Sequence, residues 1–99
     1  MLNELYLNLK SNLIEEIELS WNNLSELSYL ELNLESNLIN RVVENGLSNL
    51  SLLSYLELNL KDNYIDNTGF EPLLNNIKLI NEDCEIILNV IWNNIVLVN

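Results

Sequence analysis

The chain of 99 residues has no histidine, one cysteine, two glycines, one proline and four basic residues. Each scarcity closes a class of chemistry. Without histidine there is no imidazole general base, no Ser-His-Asp arrangement and none of the usual zinc sites. Cys84 alone cannot close an internal disulfide, which fits a reducing compartment, and no basic side chain stands beside it in the sequence to activate the thiol. Gly46 and Gly69 are too far apart to build a glycine-rich phosphate loop. Four bases against fifteen acids give a net charge of −11. That balance has no clustered lysine or arginine for phosphates, so direct nucleic-acid binding and attraction to an anionic membrane are both excluded. Aromatic residues make up only 7% of the chain, so its core must be aliphatic.

No uninterrupted apolar run reaches the roughly 18 residues that a membrane span needs. The first residues, MLNELYLNLK, have neither the basic nor the apolar region of a secretion signal. The expectation is a cytoplasmic protein, in which the sequons at Asn23 and Asn49 are accidents of abundant asparagine and serine. The run DNYID (62–66) lacks the oxygen spacing and the Gly and Glu of a calcium loop. No metal, no cofactor and no catalytic residue is expected, and the chain is read as not an enzyme.

What is abundant is leucine in a repeated line. LSYLELNLESNLI (27–39) and LSYLELNLKDNYI (53–65) are identical at ten of thirteen positions. LNELYLNLKSNLI (2–14) matches the 27–39 copy at nine of thirteen, and DCEIILNVIWNNI (83–95) is a degenerate fourth copy. Within a copy, Leu30, Leu32 and Leu34 alternate with Glu31, Asn33 and Glu35, the period of a strand with one buried face. Each copy then closes on Asn-x-Ile: Asn12 with Ile14, Asn37 with Ile39, Asn63 with Ile65, Asn93 with Ile95. Asparagine suits a turn, and a buried one there would also bond the backbone of neighbouring copies.

The connections are longer. Phe70, Leu73, Leu74 and Ile77 form a helical stripe with Pro72 in its first turn. Val42, Val43, Leu47 and Leu50 make a similar stripe, weakened by Gly46. The first connection, 14–27, is ambiguous: Ile17, Trp21 and Leu24 suit a helix, but Glu15, Glu16 and Glu18 interrupt any clean pattern. Strands joined by such crossovers should be parallel.

A leucine-dense strand at a spacing of 25 to 30 residues resembles the leucine-rich repeat. LELNLKDNYIDNTGF (56–70) is similar to the ribonuclease-inhibitor type, and the extended L-x-L-x-L form is similar to tandem arrays of ciliate protists. The first two copies lack a counterpart of Gly69. The resemblance implies an α/β fold: a short solenoid in one domain, 1–99, of about four parallel strands with helices on the convex side. Its repeats start near 2, 27, 53 and 83. It implies protein binding and no particular ligand. A small α/β sandwich with a mixed sheet would show the same alternation without explaining the recurring Asn-x-Ile.

Aligning the copies gives outward rows: Glu4, Tyr29, Tyr55, Glu85; Tyr6, Glu31, Glu57, Ile87; Asn8, Asn33, Asn59, Asn89; Lys10, Glu35, Lys61, Ile91. The asparagine row reads as a ladder of stacked amides that stabilises the sheet. The fourth row alternates in sign, whereas Glu31 beside Glu57 sets like charges together without structural need, which makes the pair a candidate for meeting a cationic group on a basic protein partner. Tyrosines are both good strand formers and interface anchors. The residues expected to meet a protein partner are Tyr6, Tyr29, Glu31, Asn33, Tyr55, Glu57, Asn59 and Trp92. The segment IVLV (95–98) could add a fifth strand with an apolar edge, to be covered by a partner, by a second copy, or by further repeats. The functional expectation is a non-catalytic protein-protein interaction module or assembly subunit. The alternative is an acidic inhibitor that occupies the basic groove of a nuclease or other nucleic-acid-binding protein.

Overall fold

A computed structural model describes residues 2–96. The leucine-alternating part of each copy forms a strand: β1 (Glu4–Asn8), β3 (Tyr29–Asn33), β5 (Tyr55–Asn59) and β6 (Glu85–Asn89). They pair in parallel in the order β1-β3-β5-β6 as one four-stranded sheet. The register matches copy to copy, with Leu30 on Leu56 and Leu32 on Leu58. The fold is therefore α/β, with a parallel sheet of four strands and one helix among the described residues.

The connections depart from the expected row of helices. The first holds a strand, β2 (Glu16–Ser20), and the second holds another, β4 (Arg41–Asn45), which pair in parallel as a separate two-stranded sheet. In β2 the half-buried Ile17 and Leu19 alternate with the exposed Glu16, Glu18 and Ser20. Of the glutamates that spoil a helical stripe, Glu16 and Glu18 are the outward half of a strand and Glu15 lies just before it. In the second connection Val42 and Val43 belong to β4, and the chain then turns at Gly46 (φ 94°) into a short 3-10 turn, Leu47–Asn49. Adjacent β-branched residues favour an extended chain, and Gly46 in a left-handed conformation cannot sit inside a helix.

Only the third connection is helical, as α1 (Asn67–Ile77). Its start is set by Asp66, whose carboxylate accepts the Gly69 N–H at 2.8 Å, an N-cap contributing about 0.5–2 kcal/mol. Because the cap lies this far upstream, Pro72 is the sixth helical residue and falls in the second turn, not the first. There its ring removes one backbone hydrogen bond from the helix. Phe70 and Leu73 are buried, with Leu74 and Ile77 half-buried. A Cβ on Gly69 would collide with the Asn40 carbonyl oxygen, so glycine is what lets α1 lie against the start of β4.

Between the two sides lies one aliphatic core, including Leu30, Leu32, Val42, Leu47, Leu56, Leu58 and Leu73. Each fully buried leucine contributes about 1.5–3 kcal/mol relative to exposure. The Asn-x-Ile segments bind the copies together along a further line of backbone hydrogen bonds. Leu38 N–H donates to the Ile14 carbonyl, Tyr64 N–H to Ile39 and Asn94 N–H to Ile65. The asparagines do what a buried amide at that position requires. The Asn63 Oδ1 accepts the Ile39 N–H at 3.0 Å, while its Nδ2 donates to the carbonyls of Leu34 and Leu60, both at 3.0 Å. Asn37 and Asn93 repeat the pattern one copy earlier and one later.

Beyond β6, Asn94 bridges to Asp66, and the Asn67 side chain holds the Val96 backbone at both its N–H and its carbonyl. Ile95 and Val96 are not in a strand, and the remainder of the expected fifth strand, 97–98, lies outside the described residues.

Candidate functional site

The face of the four-stranded sheet turned away from the core carries the alternate positions of each strand. Here the expected rows form. Glu4, Tyr29, Tyr55 and Glu85 are Cα partners across the sheet, as are Tyr6, Glu31, Glu57 and Ile87, and Asn8, Asn33, Asn59 and Asn89.

The tyrosines make a continuous ladder. Tyr29 and Tyr55 stack with ring centroids 4.5 Å apart and planes within 8°. Tyr6, one row further along the exposed edge strand, leans in to place its ring 4.9 Å from Tyr29. Such contacts add about 0.5–1.5 kcal/mol beyond burial. The hydroxyls of the central pair point along their own strands. Tyr55 donates to Glu57 at 2.5 Å, and Tyr29 makes a longer contact to Glu31 at 3.5 Å. The Tyr55 phenol is consequently held well above the ordinary tyrosine range, first by the bond to Glu57 and then by desolvation. Tyr29 is raised by desolvation and by the charge of Glu31. Tyr6 is raised by desolvation and by Glu4.

The expected amide ladder does not form along the third row. Each of these asparagines turns its Oδ1 to the N–H two residues ahead: Asn8 to Lys10, Asn33 to Glu35, Asn59 to Lys61 and Asn89 to Ile91. The strand ends there, and the freed backbone donor takes the amide oxygen first. Among the described residues one amide of the row reaches across the sheet, from Asn59 Nδ2 to Glu35 Oε1 at 3.1 Å. The inter-copy amide network belongs instead to Asn37, Asn63 and Asn93 on the core side of the turn.

In the fourth row Lys10 pairs with Glu35 at 3.2 Å, and the Asn59 amide, followed by Lys10, holds the Glu35 carboxyl below its usual range. Lys61 does not complete the alternation. Its ammonium lies over the Trp92 ring, 4.3 Å from the centroid. Trp92 is apart from the tyrosines, 69% exposed, with a left-handed backbone (φ 59°). Ser11, Ser36 and Asp62 occupy the same conformation in the other copies. This series carries no glycine and is invisible to composition. Its only signal is its fixed place directly before the asparagine of Asn-x-Ile.

Between the tyrosine ladder and the asparagine row the face dips into a hollow of about 190 Å³, lined chiefly by Tyr6, Asn8, Glu31, Asn33, Glu57 and Asn59. The sheet thus gathers most of the expected contact residues around one depression, with Tyr29 and Tyr55 beside it. Only Trp92 stands away. Glu31 and Glu57 are Cα partners on neighbouring strands, about 4.8 Å apart in backbone spacing. Opposed like charges of this kind cost roughly 0.2–1 kcal/mol.

No protein-family model, curated protein or solved structure matches the chain.

The chemistry of the face must therefore be read from its own groups. Among the described residues no three His, Cys, Asp or Glu side chains converge as metal ligands. The half-buried Cys84 has its thiol pKa raised by burial and then by Glu85, which opposes nucleophilic use. No helix among the described residues is long and apolar enough to cross a membrane. What the face offers is aromatic surface, an acidic pair and amide groups, which are contact chemistries.

Proposed function

We propose that this protein is a non-catalytic interaction module, a short leucine-rich-repeat solenoid that binds a protein partner through the open face of its four-stranded sheet. The repeat reading is supported by four copies of one line at near-constant spacing, stacked in parallel register with an asparagine bonding copy to copy. The functional reading rests on one observation above the others. Tyr29 and Tyr55 stack and Tyr6 tilts against them, beside a hollow lined by the register partners Glu31 and Glu57, on a face that the described part of the chain leaves uncovered. Stacked rigid rings supply contact area at low conformational cost, and their neighbours supply polar direction.

The test is affinity capture from native-host extract with wild-type protein and a Tyr29→Ser/Tyr55→Ser variant, washed at low and high salt. The expected result is a partner that survives high salt on the wild type and is lost from the variant. Equal capture by both proteins would overturn the proposal. A partner lost from wild type in moderate salt and indifferent to the tyrosines would favour the acidic-inhibitor reading, since interactions carried by exposed charge are screened by salt.

A further inference from the structure

We infer that the hollow receives an arginine side chain of the partner, its guanidinium set between the carboxylates of Glu31 and Glu57 and against the tyrosine ladder. This rests on the reading of the sheet face as a protein-binding surface and names the chemistry of what binds there.

The first ground is charge. Glu31 and Glu57 are directly opposed on adjacent strands. The chain's own cations are engaged or placed elsewhere: Lys10 on Glu35, Lys61 over Trp92, Arg41 on β4 in the other sheet, and Lys78 just past α1. Among the described residues no salt bridge reaches either glutamate. The pair is repulsive in the free protein and becomes attractive only when a cation arrives from outside.

The second ground is shape. A bare divalent ion would want more carboxylate ligands than the hollow supplies, for Glu57 already accepts the Tyr55 hydroxyl and the remaining lining is amide, aromatic and the aliphatic Leu7. A guanidinium is planar and delocalised, stacks on aromatic faces, and presents several N–H donors that two separate carboxylates can share. The edge ring Tyr6 is 58% exposed and offers such a face. A lysine ammonium is a compact, strongly hydrated point charge and would use the carboxylates without the ring. The third ground lies beside the acids. Asn8 and Asn33 commit their Oδ1 atoms to the turn, and among the described residues their Nδ2 groups have no acceptor. These donors are placed to take backbone carbonyls of the segment that carries the arginine.

The experiment is an NMR titration of backbone amide shifts with three Gly/Ser peptides that differ only at a central arginine, lysine or citrulline. It is run on wild type, on Glu31→Gln/Glu57→Gln, and on Glu15→Gln/Glu16→Gln as a charge-matched control, each checked for native circular dichroism. The arginine peptide is expected to shift Glu31, Asn33 and Glu57, to bind Glu31→Gln/Glu57→Gln at least about tenfold more weakly, and to leave the control's affinity unchanged. The lysine peptide should bind several-fold more weakly than arginine, and citrulline should not bind. Equal binding of arginine and lysine, equal loss in both variants, shifts centred on the acids around Glu16 or Glu82, or no shifts at all would each overturn the inference. Any of these results alongside a partner whose capture still depends on Tyr29 and Tyr55 would leave the protein-binding proposal standing.

Discussion

β3 and β5 carry the same residues, YLELN, and β1 carries a close copy of their alternation, yet the leucines fare differently. Leu32 and Leu58 are 2% and 4% exposed, whereas Leu7, their register partner on β1, is 38% exposed. The asparagines divide the same way. Asn37 and Asn63 are buried and join two copies, while among the described residues the exposed Asn12 donates its Nδ2 only to the Leu9 and Lys10 carbonyls of its own copy. One line of sequence therefore yields two energetic environments. A copy becomes core where neighbours stand on both sides, since each strand is buried by the ones beside it.

The largest test of this contrast is a pair of leucine truncations. Leu56→Ala should cost about 2–5 kcal/mol in chemical denaturation, because the cavity is closed on all sides. Leu7→Ala should cost less than about 1 kcal/mol, because water already reaches the site. Equal costs would show that β1 is as well covered as β5.

Next come the turn amides. Asn63→Ala strands the Ile39 N–H in the interior, while the Leu34 and Leu60 carbonyls keep the amides of Asn37 and Asn93, for a loss of about 1–3 kcal/mol. Asn12→Ala should fall within about 0.5 kcal/mol of wild type, as water can replace its bonds. Denaturation midpoints of the two variants check this directly.

The smallest effect concerns protons and again separates interior from edge. The folded Tyr55 pKa lies above the unfolded value of about 10, so folding retains a proton that the unfolded chain releases. The stability this adds is fully present below pH ~10 and falls as pH rises further. A phenolate absorbance titration should show Tyr55 ionising last, after Tyr6, and Glu57→Gln should bring it back toward the ordinary range.

Much of this was legible in advance. Period-two alternation in a thirteen-residue line settles which side chains face out, and its repetition sets the register, so the rows containing Tyr29, Glu31 and Asn33 could be written from the letters. The connections could not. Val42, Val43, Leu47 and Leu50 fit a helical stripe as well as they fit a strand followed by a turn, because a short apolar segment carries too few residues to separate the two periods. Pairing with Glu16–Ser20, far upstream, decided for the strand. The helix start was equally hidden, since a proline is a conspicuous marker and the capping role of Asp66 is not.

The two asparagine rows show the same boundary within the site. Both recur at fixed spacing, and by composition either could bond along the stack. Asn33 and Asn59 sit where strands end at the surface, so their oxygens close local turns. Asn37 and Asn63 sit inside, where unpaired backbone groups of the neighbouring copy have no water to turn to, so their amides bridge copies. The sequence by itself determined the strands, their outward rows and the aliphatic character of the core, because alternation is a local property of the backbone. Only the tertiary structure decided which leucines are dry, which connections are extended, which amides join neighbours and which tyrosine keeps its proton longest. Each of those depends on what stands next to a residue in space, and stacking brings together groups that lie about 25 residues apart in the chain.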